Sequence, residues 1–295
     1  MSATRPLCFC PEHTMKILLT GANGQLGQAL QGELVRDELV ALDHQHLDIT
    51  QLDPMRRAVQ AFCPDLVINT AAYNNVDGAE SNPLAAYRVN ALGPRNLAVV
   101  TASVGMPLLH ISTDYVFDGT SRRPYHEFDH PHPLSVYAVS KLAGEEAVRS
   151  LNPKHYLVRT AWLYHVVGRN FAKTICSLAQ QQPAVRVVND QVGSPTYAPH
   201  LATAIATLIR SGAFGIYHLV NQGAASWYEL TCALYRQLGI ATPVCPITML
   251  EFPRPAKRPA YSVLTTIQDP IILLPPWEEG VVAFAKAVRE EKGKV

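Results

Sequence analysis

The chain has 295 residues, 48% hydrophobic and 17% charged, with a net charge of +1. A chain of this length buries roughly 75% of its unfolded surface and needs no disulfide staples. Its near-neutral charge gives no handle for nucleic acid or an anionic membrane, and no run reaches the ~18 apolar residues of a membrane span. Six cysteines, at 8, 10, 63, 176, 232 and 245, include no CxxC pair and read as reduced thiols of a cytoplasmic protein.

Residues 1–14 carry one arginine and no apolar core, so they are not a secretory signal; they read as a disordered leader or a start-site artefact. Lys16–Thr20 is a short apolar run that suits one buried strand. Gly21, Gly24 and Gly27 follow at three-residue spacing, and Leu26, Ala29 and Leu30 begin a helical apolar face. Strand, glycine turn and helix place a helix N-terminus under a diphosphate. Asn23, Gln25 and Leu26 lie inside this turn and belong to the same candidate cofactor site. A Cβ at Gly21 would obstruct the turn, one at Gly24 would hold the backbone off the phosphates, and one at Gly27 would wedge helix from strand.

A second strand over 38–43 ends in Asp43, about 20 residues past the glycines, where a carboxylate receives the adenosine ribose. Asp48-Ile49 opens a turn and a helix with Pro54 in its first turn; Asp48 is placed to reach the adenine or to cap that helix. A third apolar strand over 64–72 ends in Ala71 and Ala72, small residues that let a cofactor approach the sheet edge, followed by Tyr73. Residues 77–102 read as one long helix interrupted near Pro83, with Tyr87, Val89, Leu92 and Leu97 apolar. A fourth strand over 107–112 completes a run of β-α units, which implies right-handed crossovers and a parallel sheet.

Thr113 and Asp114 follow at the end of that strand, in Ser112–Gly119. Some 24 residues on, Tyr137 and Lys141 open a helix running to about Ser150. At i and i+4 they share one helix face. An ammonium beside a phenol lowers the phenol's pKa, and a threonine hydroxyl can hold the same substrate oxygen; together they form a proton donor for a carbonyl receiving hydride. Between these parts, His126, Asp129, His130 and His132 can be drawn as a metal site, but a polar, proline-rich lid fits them better, and no metal is expected.

A strand over 156–162 leads to Trp162, an aromatic placed for a sugar or base or for packing between domains. A helix over 170–181 begins at Asn170. A short strand over 186–190 runs into a shaped polar loop with Gln191, Ser194 and Thr196, whose amides and hydroxyls suit a diphospho-nucleotide. A helix over 200–210 and a strand over 215–220 return to the main sheet. Trp227–Leu238 is a helix capped by Ser226. Arg258 and Lys257, in a basic proline-rich segment, are candidates for substrate phosphates. Residues 281–288 form a last helix with Phe284 and Val288 inward.

With these motifs in hand, the chain resembles the extended short-chain dehydrogenase/reductases and, among them, the dTDP-4-dehydrorhamnose reductase family. GANGQLG at 21–27, NTAAY at 69–73, VDGAE at 76–80, VNALGPRNLA at 89–98, STDYVFDG at 112–119 and YAVSKLAGE at 137–145 carry the likeness. RTAWLY at 159–164, GRNF at 168–171, DQVGSPTYA at 190–198 and RPAYSVL at 258–264 narrow it, and it covers essentially everything after Met15. The resemblance implies an α/β fold: a Rossmann-like doubly wound parallel sheet over 15–164, rejoined near 198–220, and a smaller substrate-binding domain within 165–295. It implies Thr113, Tyr137 and Lys141 as the catalytic triad, NADPH or NADH as cofactor, and Trp162, Asn170 and the 190–196 loop in a nucleotide-sugar site. The implied reaction is reduction of the C4 keto group of dTDP-4-dehydro-6-deoxy-L-mannose to dTDP-L-rhamnose, for surface polysaccharide. A non-catalytic dinucleotide-binding subunit, like that of methionine adenosyltransferase, and a different sugar-nucleotide reductase or epimerase are the alternatives.

Dehydrating relatives carry an Asp-Glu pair after the threonine; here Asp114-Tyr115 follows, so dehydration is not expected. Thr265 stands where an Asp is usual. Ala29 stands where a Glu serves an interface magnesium in some members, so neither that metal nor that dimer is carried over; a monomer or a homodimer is expected.

Overall fold

The computed structural model describes residues 14–292; the leader expected over 1–14 lies, apart from Thr14, outside them. Strand β1 (Lys16–Thr20), helix α1 (Gln25–Glu33), β2 (Glu38–Leu42), α2 (Leu52–Phe62) and β3 (Leu66–Asn69) open the chain. Ile17, Leu18, Leu19 and Thr20 are all buried, as befits a parallel strand covered on both faces. β3 is shorter than its apolar run because Thr70 N–H donates to Thr20 O at 3.1 Å and Ala71 N–H turns onto Asn69 Oδ1, also at 3.1 Å.

The long helix expected over 77–102 is four pieces: α3 (Val76–Ser81), α4 (Pro83–Tyr87), a π turn (Arg88–Leu92) and α5 (Gly93–Ser103). Asn82 caps α4, accepting from Ala85 N at 3.2 Å, and Pro83 occupies the first turn, where its missing N–H costs nothing. Tyr87, just before the π turn, and Leu92, at its end, are 38% and 39% exposed, whereas Leu97 is fully buried.

β4 (Leu108–Thr113), a 3-10 turn (Asp114–Val116), α6 (Val136–Leu151) and β5 (His155–Thr160) follow. Then come β6 (Leu163–Tyr164), α7 (Phe171–Gln181), β7 (Val185–Val188), β8 (Val192–Gly193), β9 (Thr196–Tyr197), α8 (Ala198–Ser211) and β10 (Gly215–His218). The chain ends with β11 (Ala225–Ser226), α9 (Trp227–Leu238), β12 (Val244–Ile247) and α10 (Trp277–Lys292), the last longer at both ends than its apolar repeat.

The main sheet is wholly parallel, in the order β2-β1-β3-β4-β5-β10. The return of β10 to this sheet matches the sequence reading. Strand order reverses at β1, so the ligand crevice of a doubly wound sheet falls between the C-terminal ends of β1 and β3. One face packs Ile17, Leu19, Leu109 and Val158 against α1 and α8; the other packs Leu18, Val67 and Leu108 against α2, α5 and Val148 of α6. A separate core gathers Ile175, Val187, Leu234, Val281 and Phe284 from α7, β7, α9 and α10. Ser226 caps α9 in a capping box with Glu229, at 3.0 and 2.7 Å, the reciprocal pairing that fixes a helix start. Among the described residues, no helix is long and apolar enough to cross a membrane.

Candidate active site

The glycine turn sits at the strand-order reversal. Gly21 has φ +77°, and a Cβ there would lie 2.6 Å from Ala71 N. A Cβ on Gly27 would lie 2.3 Å from Gly21 O and 2.8 Å from Ala22 O, while one on Gly24 meets nothing nearer than 3.2 Å. Gly21 and Gly27 therefore close the turn internally, and Gly24 is the exposed one. Helix α1 starts at Gly24 with no side-chain cap and no acid in its first turn, so its N-terminal amides are available to an anion.

Asn23 donates to Asp43 Oδ2 at 2.6 Å, and His46 Nδ1 lies 2.6 Å from Asp43 Oδ1. His46 and the adjoining backbone amides hold the Asp43 carboxyl below its ordinary range. Two expected cofactor contacts turn inward instead. Leu26 (4% exposed) lies on the core-facing side of α1, and Ile49 (4%) packs under Gly93; at both, only backbone remains to meet a ligand. Asp48 accepts from Thr50 N at 2.9 Å in a local turn. Ala71, Ala72 and Tyr73 are half-buried beside the crevice.

Asn90, which sequence reasoning did not single out, orders that side of the site. Its Oδ1 accepts from Tyr73 N at 2.8 Å; its Nδ2 donates to Tyr73 O at 3.1 Å and Ser140 Oγ at 3.0 Å. Ser140 donates in turn to Tyr137 O at 2.7 Å. A Cβ on Gly144 would lie 2.1 Å from Asn90 O, so α6 rests directly on the π turn, a distortion often found at functional sites.

Thr113 and Tyr137 come together as expected, both buried. Ser135 caps α6, accepting from Ala138 N at 3.3 Å. Burial pushes the Tyr137 phenol up to about 12, with the Thr113 hydroxyl acting downward and Asp114 upward. Lys141 Nζ donates to Ile111 O at 2.7 Å, and burial pushes it down to about 8 against the upward pull of Glu145. Lys141 is not among the groups acting on the Tyr137 phenol, so the lowering expected from it is not seen in this arrangement; the cost of charging a phenol away from solvent dominates.

Asp114 (2% exposed) accepts from Ser262 Oγ at 2.6 Å and Thr113 Oγ1 at 3.1 Å, and burial pushes its carboxyl up to about 7. Ser262 arrives from a segment 148 residues away, with no local signal in its surroundings. Tyr115 stands edge-on to Tyr137, ring centres 6.1 Å apart. Arg258 contacts Tyr115 and is engaged by Asp77 at 3.0 and 3.1 Å. Arg254 pairs with the same carboxylate, and the two arginines hold it down to about 2 against desolvation. The cation expected for substrate phosphates is therefore already neutralised by α3.

Elsewhere the sequence expectations are corrected. Ser194 and Thr196 are fully buried; Ser194 Oγ accepts from Leu264 N at 3.2 Å and Thr196 Oγ1 donates to Ser194 O at 3.0 Å. These hydroxyls build the loop instead of lining a cleft. Gln191 Oε1 accepts from Trp227 Nε1 at 3.0 Å. Trp162, at φ +46°, stacks flat on Trp227 with ring centres 3.4 Å apart, so one of its faces is already covered, and its Nε1 is buried without a partner. Asn170 caps α7, accepting from Lys173 N at 3.0 Å, and donates to His165 O at 2.6 Å and to Gln25 Oε1 at 2.9 Å. It ties the glycine turn to the second core. In the loop expected as a lid, Asp129 pairs with Arg123 at 2.7 Å and Asp118 with His132 at 3.2 Å. A cavity of about 620 Å³ opens at the N-terminal ends of β1, β3, β4 and β5, beside Met15, Cys63 and Met106, and touches none of these groups.

The residues present fit a dinucleotide. Gly21 and Gly27 close the turn and leave the exposed Gly24 at its mouth, the helix start is uncapped, and Ser112 Oγ, at the end of β4 beside Thr113, is buried without a partner.

The chain matches the RmlD substrate binding domain family over residues 15–290. It is 42% identical to a dTDP-4-dehydrorhamnose reductase of Mycobacterium tuberculosis, with 92% of each chain covered. Among solved structures, a dTDP-4-dehydrorhamnose reductase of Clostridium acetobutylicum superposes with a TM-score of 0.91 at 42% identity, covering 93% of this chain and all of that one. One of Bacillus anthracis, in complex with NADP, gives 0.91 at 39% identity over the same shares.

Proposed function

The chain belongs to the RmlD substrate binding domain family, and from that premise we propose that it reduces the C4 keto group of dTDP-4-dehydro-6-deoxy-L-mannose to give dTDP-L-rhamnose. The cofactor is NADPH or NADH, with NADPH favoured by the NADP held in the Bacillus anthracis relative and by an Asp43 carboxylate already engaged by Asn23 and His46. The working place is the cytoplasm. The enzyme reading is preferred to a regulatory subunit because the named relatives are reductases and Thr113, Tyr137 and Lys141 are all present.

The observation that carries the reading is the Thr113–Tyr137 pair buried at the end of β4. The reduced nicotinamide, when bound, supplies the hydride. Thr113 orients the substrate carbonyl, and Tyr137 gives its proton to the oxygen as charge builds there. A phenol near pKa 12 remains fully protonated at neutral pH, and an alkoxide is the stronger base, so the transfer runs toward product. Lys141 holds the cofactor ribose and offsets the phenolate left behind. Gly24 and the amides opening α1 receive the diphosphate, while Asp114, Trp162 and Arg258 border the sugar nucleotide. We take 165–197 and 221–295 as the substrate-binding part.

The test is oxidation of NADPH, followed by absorbance, with the keto sugar. Turnover that falls at least a thousandfold, or about 4 kcal/mol in barrier, in Tyr137→Phe with cofactor affinity unchanged is the expected result. Unimpaired turnover in that variant would overturn the assignment.

A further inference from the structure

A late segment of the chain reaches the catalytic threonine through two hydrogen bonds that the reaction as derived above does not use. Ser262 lies in the strip after Arg258, where its backbone N–H donates to Val192 O at 2.8 Å. Its Oγ donates to Asp114 Oδ2 at 2.6 Å, and the other carboxyl oxygen, Oδ1, lies 3.1 Å from Thr113 Oγ1. Ser262, Asp114 and Thr113 are 1%, 2% and 7% exposed, so these bonds are shielded from solvent. Thr113 Oγ1 also accepts from Tyr115 N at 3.2 Å.

Counting hydrogens decides which way this chain of bonds runs when a ketone is bound. A threonine hydroxyl has one hydrogen and two lone pairs, and a ketone oxygen has lone pairs only. The Tyr115 amide occupies one lone pair of Thr113. If the hydroxyl hydrogen goes to a carboxylate at Asp114, Thr113 has only a lone pair to turn toward the ketone, and the two repel. If Asp114 carries a hydrogen, its O–H fills the second lone pair and the Thr113 hydrogen is free for the substrate oxygen. Ser262 fixes where that hydrogen sits: as a donor to Oδ2 it leaves Oδ1, the oxygen beside Thr113, to carry it. We propose that Ser262 is a positioning residue for Thr113, acting through Asp114 as a carboxylic acid whose Oδ1–H donates to Thr113 Oγ1 and turns the Thr113 hydrogen outward onto the C4 keto oxygen. The proposal rests on the reductase reading above.

The surroundings favour the acid form. The cations on the elements around Asp114 are engaged elsewhere: Lys141 of α6 donates to Ile111 O at 2.7 Å, Arg258 of the strip is held by Asp77 at 3.0 Å, and Arg159 of β5 by Glu145 at 2.7 Å. His110 of β4 turns to Asn69. Tyr115, Tyr137 and Tyr261 are neutral phenols held up by burial. Asp118 is bonded to Tyr125 and His132, and Glu80 of α3 to Val136 N. Burial raises the Asp114 carboxyl to about 7 against the pull of its hydrogen bonds.

The experiment is a double-variant cycle on kcat for NADPH-dependent reduction of the keto sugar by the full-length protein. Ser262→Ala is expected to lower kcat about tenfold, the worth of one hydrogen bond, and to cause no further loss in a Thr113→Val background. An equal factor in both backgrounds, or an undiminished kcat in Ser262→Ala, overturns the proposal, since a residue that merely packs acts whether or not Thr113 has its hydroxyl. The pH profile tests the acid form. An acid at Asp114 is lost as pH rises, so kcat is expected to fall through about pH 7. In Asp114→Asn the amide donates to Thr113 and accepts from Ser262 without titrating, so that fall is expected to vanish and leave the limb set by Lys141 at about 8. The same fall in Asp114→Asn, or an unsubstituted rate that rises through pH 7, overturns the proposal. Should Ser262→Ala not fold, the Asp114→Asn profile decides. An unsubstituted protein that does not reduce the sugar overturns the reductase reading instead.

Discussion

Replacing Asp114 by Asn isolates the cost of enclosing one carboxyl. In the fold its pKa rises from the usual 3.8 to about 7. Below about pH 4 the folded and unfolded chains hold the same proton at this residue, so it contributes nothing. Between that point and about pH 7 the unfolded state ionises while the folded state keeps its proton. Stability therefore falls as pH rises through this window and levels off above it. The displacement of about 3 pH units, at about 1.4 kcal/mol each, gives a penalty of about 4 kcal/mol at alkaline pH. Asparagine keeps an acceptor for one of the Thr113 and Ser262 hydroxyls and has no charge to desolvate. Urea unfolding of both proteins at about pH 5 and about pH 8 should show the wild type losing about 3 kcal/mol more than the variant over that interval. Parallel losses in the two proteins would refute the assignment of this burial cost to Asp114.

Four further outcomes follow from the geometry. Gly27→Ala puts a methyl 2.3 Å from Gly21 O and should weaken NADPH binding at least about tenfold, near the lower end of overpacking costs, in a calorimetric titration. Gly32→Ala meets nothing within 4 Å and should leave binding unchanged while raising the unfolding free energy by up to about 1 kcal/mol. Arg258→Gln takes away one of the two cations on the Asp77 carboxylate and should lower the unfolding free energy by about 1.5 kcal/mol, the low end for a hydrogen bond to a charged group, in urea titrations. The Asp77 clasp, whose carboxyl is held to about 2, should contribute stability above pH 3.8 and lose it only as pH falls through about 2; Asp77→Asn should flatten that acid limb in thermal melts.

What could be read from the sequence was local. Lys16–Thr20 is a strand because four consecutive positions are buried, and Ser226 begins a helix because its own hydroxyl and Glu229 close the box. Tyr137 and Lys141 share a face by helical period alone. The π turn at 88–92 was hidden because it depends on Gly144 pressing on Asn90 from another helix. Ser194 and Thr196 read as free polar groups, yet β8 pairs with β11 and Val192 N–H donates to Ala260 O at 2.8 Å, which folds them inward. The pairing of Asp77 with Arg254 and Arg258 spans 177 and 181 residues, and no periodicity reports a contact at that separation.

The path of the chain through β10 has a consequence for engineering. Having built α7 and β7, the backbone comes home to the sheet edge beside β5 before leaving again for α9, β12 and α10. The part that would select the sugar is therefore stitched in at two seams and cannot be exchanged as a cassette at one. A chimaera joined only after Tyr164 would import a foreign edge strand along with a new specificity, whereas paired junctions before Ala198 and after His218 would keep the native edge in place.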